Sequence, residues 1–160
     1  MSLAAVSSTL WRERELLDLL LFKLEEEQLV LASGRSRWLA RATKEVEMVL
    51  EEVRRAELLR AVQVDTAAAE LGLPPGPSLR VLADAAPEPW ATLLVEHRQA
   101  FLTATAEISA MAETNRELLT TGFRAAREAL LSLGDGVETY TSSGAPVSVG
   151  RLSRLVDEAM

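Results

Sequence analysis

From Ser8 to Ala32, Leu10, Leu17, Leu24 and Leu31 recur every seven residues, and Arg14, Leu21 and Gln28 stand four residues after the first three. Alternating steps of four and three are the spacing of a helix that packs along its length against another. Leu16, Leu20 and Phe22 widen the stripe, which predicts more than one partner helix. Ser33-Gly34 ends this helix, glycine being suited to the left-handed C-terminal position. A second seam reads Leu39, Ala42, Val46, Val49, Val53, Ala56 and continues through Leu59 and an alanine run to about Leu71. The spacing therefore predicts helices over 8–32 and 35–71, joined tightly enough to form an antiparallel hairpin.

Gly72-Leu73-Pro74-Pro75-Gly76-Pro77 cannot be helical and breaks the chain. Ser78 can cap a short helix over 79–86. Pro87-Glu88-Pro89 then opens the longest pattern, with a seam of Trp90, Leu94, His97, Phe101, Ala104, Ile108, Met111, Asn115, Leu118, Gly122 and Ala125. A helix over 88–133 follows, ended by Gly134-Asp135-Gly136. After it comes a glycine-, proline- and serine-containing stretch that cannot order itself, although it keeps Tyr140, Val147, Val149, Leu152, Leu155 and Val156. The expected fold is all-α: an elongated antiparallel bundle of three long helices with one short helix and a flexible C-terminal tail. The expected division is a helical bundle domain over 1–136 and a flexible segment over 137–160. Leu17, Leu21, Leu24, Val46, Val49, Val53, Phe101, Ile108 and Met111 repeat on single faces and are expected to be mostly buried.

Composition reinforces this reading. Leucine (28) and alanine (24) make up roughly a third of the 160 residues, whereas isoleucine and tyrosine occur once each, so helix formers dominate over strand formers. The formal charge of -7 disfavours a general binder of nucleic acid or anionic membrane. No export signal or membrane-spanning run is legible, the longest apolar run stopping at Lys23, so a cytoplasmic protein without stable membrane insertion is expected.

Candidate chemistry is thin. There is no cysteine, and the lone histidine, His97, cannot build a metal cluster. It sits in the long helix's seam, where a structural histidine outweighs a catalytic one. Glu25-Glu26-Glu27, Glu45/Glu47 and Glu51-Glu52 read as solvated helix faces, and no phosphate-binding loop occurs. The expectation is a protein that is not an enzyme and needs no cofactor or metal. Arg14, Gln28, His97 and Asn115 are polar residues at seam positions. They either fix register or mark an interaction surface on a long helix left partly uncovered.

Three segments carry a family resemblance: Leu16 through Glu27, the hairpin Ala32-Ser33-Gly34-Arg35-Ser36-Arg37-Trp38-Leu39, and Glu113-Thr114-Asn115-Arg116-Glu117-Leu118-Leu119. Over about Leu10 to Gly144 the chain resembles the flagellar export chaperone family FlgN. Leu71 through Gly76 and Ala86-Pro87-Glu88-Pro89-Trp90 point to its actinobacterial branch. The resemblance implies an acidic cytosolic chaperone of type III flagellar export. Such a protein binds hook-associated junction proteins, prevents their premature assembly and delivers them to the cytosolic domain of the export gate. A family asparagine matches Asn115. A second is replaced by Thr121-Gly122, and the tail reads Tyr140-Thr141-Ser142-Ser143-Gly144 where many members have an adjacent Tyr-Gly pair. Candidate partner-binding residues are Asn115, Leu118, Leu119, Phe123, Leu130, Tyr140, Leu152, Leu155 and Val156, with Tyr140 assigned to the gate by resemblance. A homodimer is a further candidate assembly. Periodicity alone fits a self-associating coiled-coil scaffold with no secretion role equally well.

Overall fold

The structure, a computed structural model, describes residues 2–138, with side chains to residue 134. Among these residues are four α-helices, α1 (Ser2–Ala32), α2 (Leu39–Glu70), α3 (Leu79–Ala85) and α4 (Trp90–Glu138), a 3-10 turn at Ser36–Trp38, and no strand. The chain divides into two compact units, Met1–Leu119 and Thr120–Met160, with the boundary inside α4.

Four boundaries differ from the sequence expectation by two residues or more, and one of them is the start of α2, which begins at Leu39 after the 3-10 turn and not at residue 35. α1 begins at Ser2, because Leu3 and Val6 extend the face of Leu10 and are buried with it. α4 starts at Trp90, whose N–H donates to the Pro87 carbonyl at 2.9 Å. It then passes through Gly134 and Gly136 to Glu138. A glycine costs a helix interior roughly 1 kcal/mol against alanine, which weakens a running helix without stopping it. Gly34 does take the left-handed conformation, at φ 67°, and Ser78 caps α3 by accepting from Val81 N–H at 3.3 Å.

In the first unit α1 and α2 are antiparallel, as the contacts of Ser2 with Glu70, Thr9 with Gln63, Glu13 with Arg60 and Lys23 with Glu45 show by their reversed order. α4 runs parallel to α1, with His97 beside Ser7 and Asn115 beside Leu24. Two apolar clusters result. Leu3, Val6, Leu10, Val64, Ala67, Leu82, Ala83 and Leu94 form one, with α3 closing it. Leu16, Leu17, Leu20, Leu24, Val46, Val49, Val53 and Ala56 form the other. Burying a leucine or valine fully contributes about 1.5–3 kcal/mol, so these clusters drive assembly.

Several expected core residues sit nearer the rim. Leu21, Phe101, Ile108 and Met111 are half-buried, while Phe22 and Leu59 are exposed. α1 serves two neighbours at once, so its buried arc shifts onto Leu16 and Leu20 and turns Phe22 outward. On α2 the seam steps from Ala56 to Arg60 and Val64, bypassing Leu59.

Between the clusters lies a polar layer, one seam position from each long helix: Glu13, Arg60 and His97. Glu13 is 1% exposed and accepts from Arg60 Nη1 at 3.0 Å, its second oxygen having no partner. Burial pushes its carboxyl above the usual 4.5, only partly opposed by Arg60, with Glu57 pushing further upward. His97 is also 1% exposed. Its Nε2 lies 3.4 Å from Ser7 Oγ, its Nδ1 3.5 Å from Arg14 Nη1, and Trp11 meets it edge to face at 4.9 Å. A guanidinium can only donate, so the network assigns Nδ1 as acceptor and the Nε2–H as donor to Ser7, which is the neutral ring. Burial and then Arg14 hold His97 below its usual 6.5, with Glu96 opposing.

Two outcomes follow from this layer. Arg60→Ala leaves a buried carboxylate unpaired and should cost about 2 kcal/mol in urea unfolding at neutral pH, less than a fully buried pair because Arg60 is partly exposed. The folded state holds the Glu13 proton more tightly than the unfolded chain. Its contribution is therefore greatest below pH 4.5 and is lost as pH rises through the raised value, so the Arg60→Ala penalty should shrink on acidification. A penalty of equal size below pH 4.5 would refute this origin. As the only histidine, His97 gives one isolated NMR titration, expected below 6.5. Its contribution to stability is present above pH 6.5 and is lost as pH falls from there through the lower folded-state value. Titration at or above 6.5 would contradict the neutral assignment.

Candidate functional site

Within α4, residues 120–134 form an amphipathic stretch without a covered face. Phe123, Ala126, Leu130 and Leu133 recur in steps of three, four and three, which aligns them on one side of a helix. Every side chain from Thr120 to Gly134 is exposed, Phe123 at 63%, Leu130 at 65% and Leu133 at 68%. Arg124 and Glu128 occupy the other side, joined there by the exposed Leu131, while Arg127 borders the apolar face between Phe123 and Leu130. A face holding a phenylalanine and two leucines is a strong apolar demand. Covering each would contribute about 1.5–3 kcal/mol before the costs of association. The chemistry this stretch offers is that of apolar recognition.

The other candidate residues fall into different environments. Leu119, at the end of the first unit, is half exposed, and Leu118 is half-buried. Asn115 is 3% exposed, and its Nδ2 donates to the Leu24 carbonyl at 2.8 Å and to Glu27 Oε1 at 3.1 Å. It is a register-fixing residue between α4 and α1, and a partner reaches it only by displacing α1. Its Oδ1 is buried without a hydrogen-bond partner. Tyr140, Leu152, Leu155 and Val156 lie outside the described residues.

The one arrangement with the outline of a nucleophile and base, Ser7 and His97, is not assembled for that chemistry. Both are buried, and Nδ1 faces the Arg14 guanidinium where a general base needs a carboxylate to hold the ring and stabilise its cation. Among the described residues no three His, Cys, Asp or Glu side chains gather as a metal site.

Leu133 is the functional candidate that sequence reasoning passed over. Placing the helix end at that residue removed it from the periodic face, although the 123–126–130–133 spacing carries the signal. Among the described residues no helix is long and apolar enough to cross a membrane.

The sequence profile described as FlgN protein matches residues 1–148 of the 160. No curated protein and no solved structure matches the chain. Because the profile covers both apolar clusters of the bundle, the polar layer between them and the uncovered stretch of α4, the chain belongs to the FlgN family of flagellar export chaperones.

Proposed function

We propose that this chain is a cytoplasmic chaperone for hook-associated junction proteins. It would hold them unassembled and deliver them to the cytosolic domain of the export gate, with the apolar face of residues 120–134 as its principal grip on cargo. The observation that carries this reading is the exposure of Phe123, Leu130 and Leu133 on one helical side. An amphipathic helix that must polymerise only after export would be masked by burying its own apolar face against such a surface. Leu118 and Leu119 contribute from the preceding turn of helix. Tyr140 contacts the gate, and Leu152, Leu155 and Val156 add apolar contacts to cargo. Asn115 keeps α4 in register with α1 while cargo is held.

A second copy of the chain is the competing occupant of the same face. The periodic stretch covers only about two heptads, short of the roughly three to four that sustain a coiled coil, which favours a cargo chain able to add contacts of its own. Mass measurement of the free protein separates the two.

Phe123→Asp with Leu130→Asp should weaken binding of a junction protein at least ~100-fold by calorimetry, because two apolar anchors are replaced by charges. Both residues are exposed, so melting should stay unchanged. Deleting residues 139–160 should likewise leave helicity intact while reducing cargo affinity or export. Binding within about threefold of the parent in the double variant would remove the face from the mechanism, and survival of both binding and export in the deletion would do the same for the tail.

A further inference from the structure

None of the chain's 24 acidic residues falls between Ser33 and Lys44, yet four of its 17 basic ones do: Arg35, Arg37, Arg41 and Lys44. This stretch is the tip of the α1–α2 hairpin, and all four side chains are exposed. Among the described residues Arg35 and Arg37 have no ion-pair partner. Arg41 meets Glu45 at 3.1 Å and Lys44 meets Glu47 at 3.7 Å while staying largely in solvent, so neither charge is neutralised. Trp38, half exposed, stands among them with the Arg37 guanidinium 4.9 Å from its ring.

Stability does not account for this arrangement. Arg41 lies in the first turn of α2, where the helix dipole disfavours a cation, and that turn holds no acidic residue. The end of α1 can favour a cation at Arg35, but not four along the tip. A half-exposed tryptophan likewise contributes little to a fold.

We propose that the hairpin tip is a docking surface for an anionic lipid headgroup layer. The tip is convex. Its loop satisfies its own backbone through Gly34 N–H to Leu31 O, Ser36 N–H to Gly34 O and Arg35 N–H to Ser33 Oγ, so it presents no groove or open backbone edge for a peptide. What it presents is a cluster of cations around one amphipathic ring, which suits a flat, deformable, negatively charged layer. The cations meet phosphates while the indole settles at headgroup depth. The chain's overall charge of -7 does not forbid this contact. Screening falls off over about 8 Å in physiological salt, whereas the 31 residues of α1 span about 46 Å. Glu13, Glu15 and Asp18 on α1 and Glu57, Asp65 and Glu70 on α2 therefore lie more than about two screening lengths along the hairpin from Arg35 and Arg37. Glu45, the nearest acid, is itself held by Lys23 at 2.9 Å and by Arg41, and its carboxyl is kept below the usual range. The contact is peripheral and reversible, and it is independent of what the face of α4 binds.

The test uses the full chain and vesicles of phosphatidylcholine alone or with about a third phosphatidylglycerol, read by co-sedimentation. The expected result is at least ~tenfold stronger partitioning onto the anionic vesicles, weakening as salt is raised. Arg35→Glu with Arg37→Glu should abolish the difference, Arg35→Lys with Arg37→Lys should keep it, and Trp38→Ala should reduce it about threefold. Circular dichroism should show unchanged helicity in all three. Equal partitioning on both vesicles, or insensitivity to the charge reversal, would overturn the proposal. So would binding that is lost in Leu130→Glu instead, which would place the contact on α4. Binding of polyglutamate through the same arginines without any vesicle binding would also overturn it, in favour of an acidic protein surface.

Discussion

Burial of one carboxylate beside one guanidinium constrains the first unit more than any apolar contact does. Leucine and alanine seams tolerate sliding by a heptad, because one apolar residue replaces another at each step. Glu13 does not tolerate it. Displaced by a heptad, it would face Val53 or Ala67 in place of Arg60, and an ionised carboxylate would lie in an apolar cluster at a cost of several kcal/mol. The layer thus converts a generic pattern into one alignment of α1 on α2, while His97 with Ser7 and Arg14 does the same for α4 on α1. Asn115 repeats the device eighteen residues on, where its amide spans Leu24 and Glu27. Each polar contact is a modest net contribution to stability, and its larger effect is on the alternatives it removes.

The same logic separates what α4 does within the first unit from what residues 120–134 do. Up to Asn115 its periodic face is satisfied: Leu94 and His97 are buried, and Phe101, Ala104, Ile108 and Met111 pack against the apolar clusters. From Thr120 the periodicity persists and the burial does not. A helix that needed only to be soluble there would carry polar residues, since surface positions are free to vary. Retaining phenylalanine and leucine at regular intervals exposes an apolar stripe to water, which is the observation behind the proposed grip on cargo.

How much of this was legible in the sequence depends on which physical signal carried it. Helix existence, the breaks at Gly34 and Gly72–Pro77 and the capping by Ser78 were legible because local chemistry decides them. The start of α1 was not, since the seven-residue leucine spacing begins only at Leu10, whereas Leu3, Val6 and Ser7 are buried ahead of it. Glu13 escaped notice for a related reason. The seven-residue spacing of the leucines draws one line along α1, but a helix with two neighbours buries a wider arc, and the acid falls in its middle. Asn115 was legible as a polar seam residue, and burial decides between the two roles open to it. Leu133 was lost to a boundary set by Gly134, although glycine's cost is too small to end a helix alone. Arg35 to Lys44 went unremarked because net charge averages over the chain, whereas an interaction surface depends on local charge.

An exposed apolar face is also a hazard, and the charge distribution bears on how it is tolerated. Copies carrying the same sign repel, and Arg124 and Glu128 keep the other side of this helical stretch hydrated. Neither feature prevents association outright, because screening shortens repulsion to about a nanometre. What they do is leave the weakest apolar encounters unrewarded. Two large side chains packing briefly gain too little to overcome lost freedom and like-charge repulsion, whereas a helix that covered Phe123, Ala126, Leu130 and Leu133 together would gain nearly twice as much for nearly the same entropic cost. Selectivity then needs no pocket. It arises from the length and spacing a partner must match before binding becomes favourable, the same three-and-four periodicity that folds the bundle.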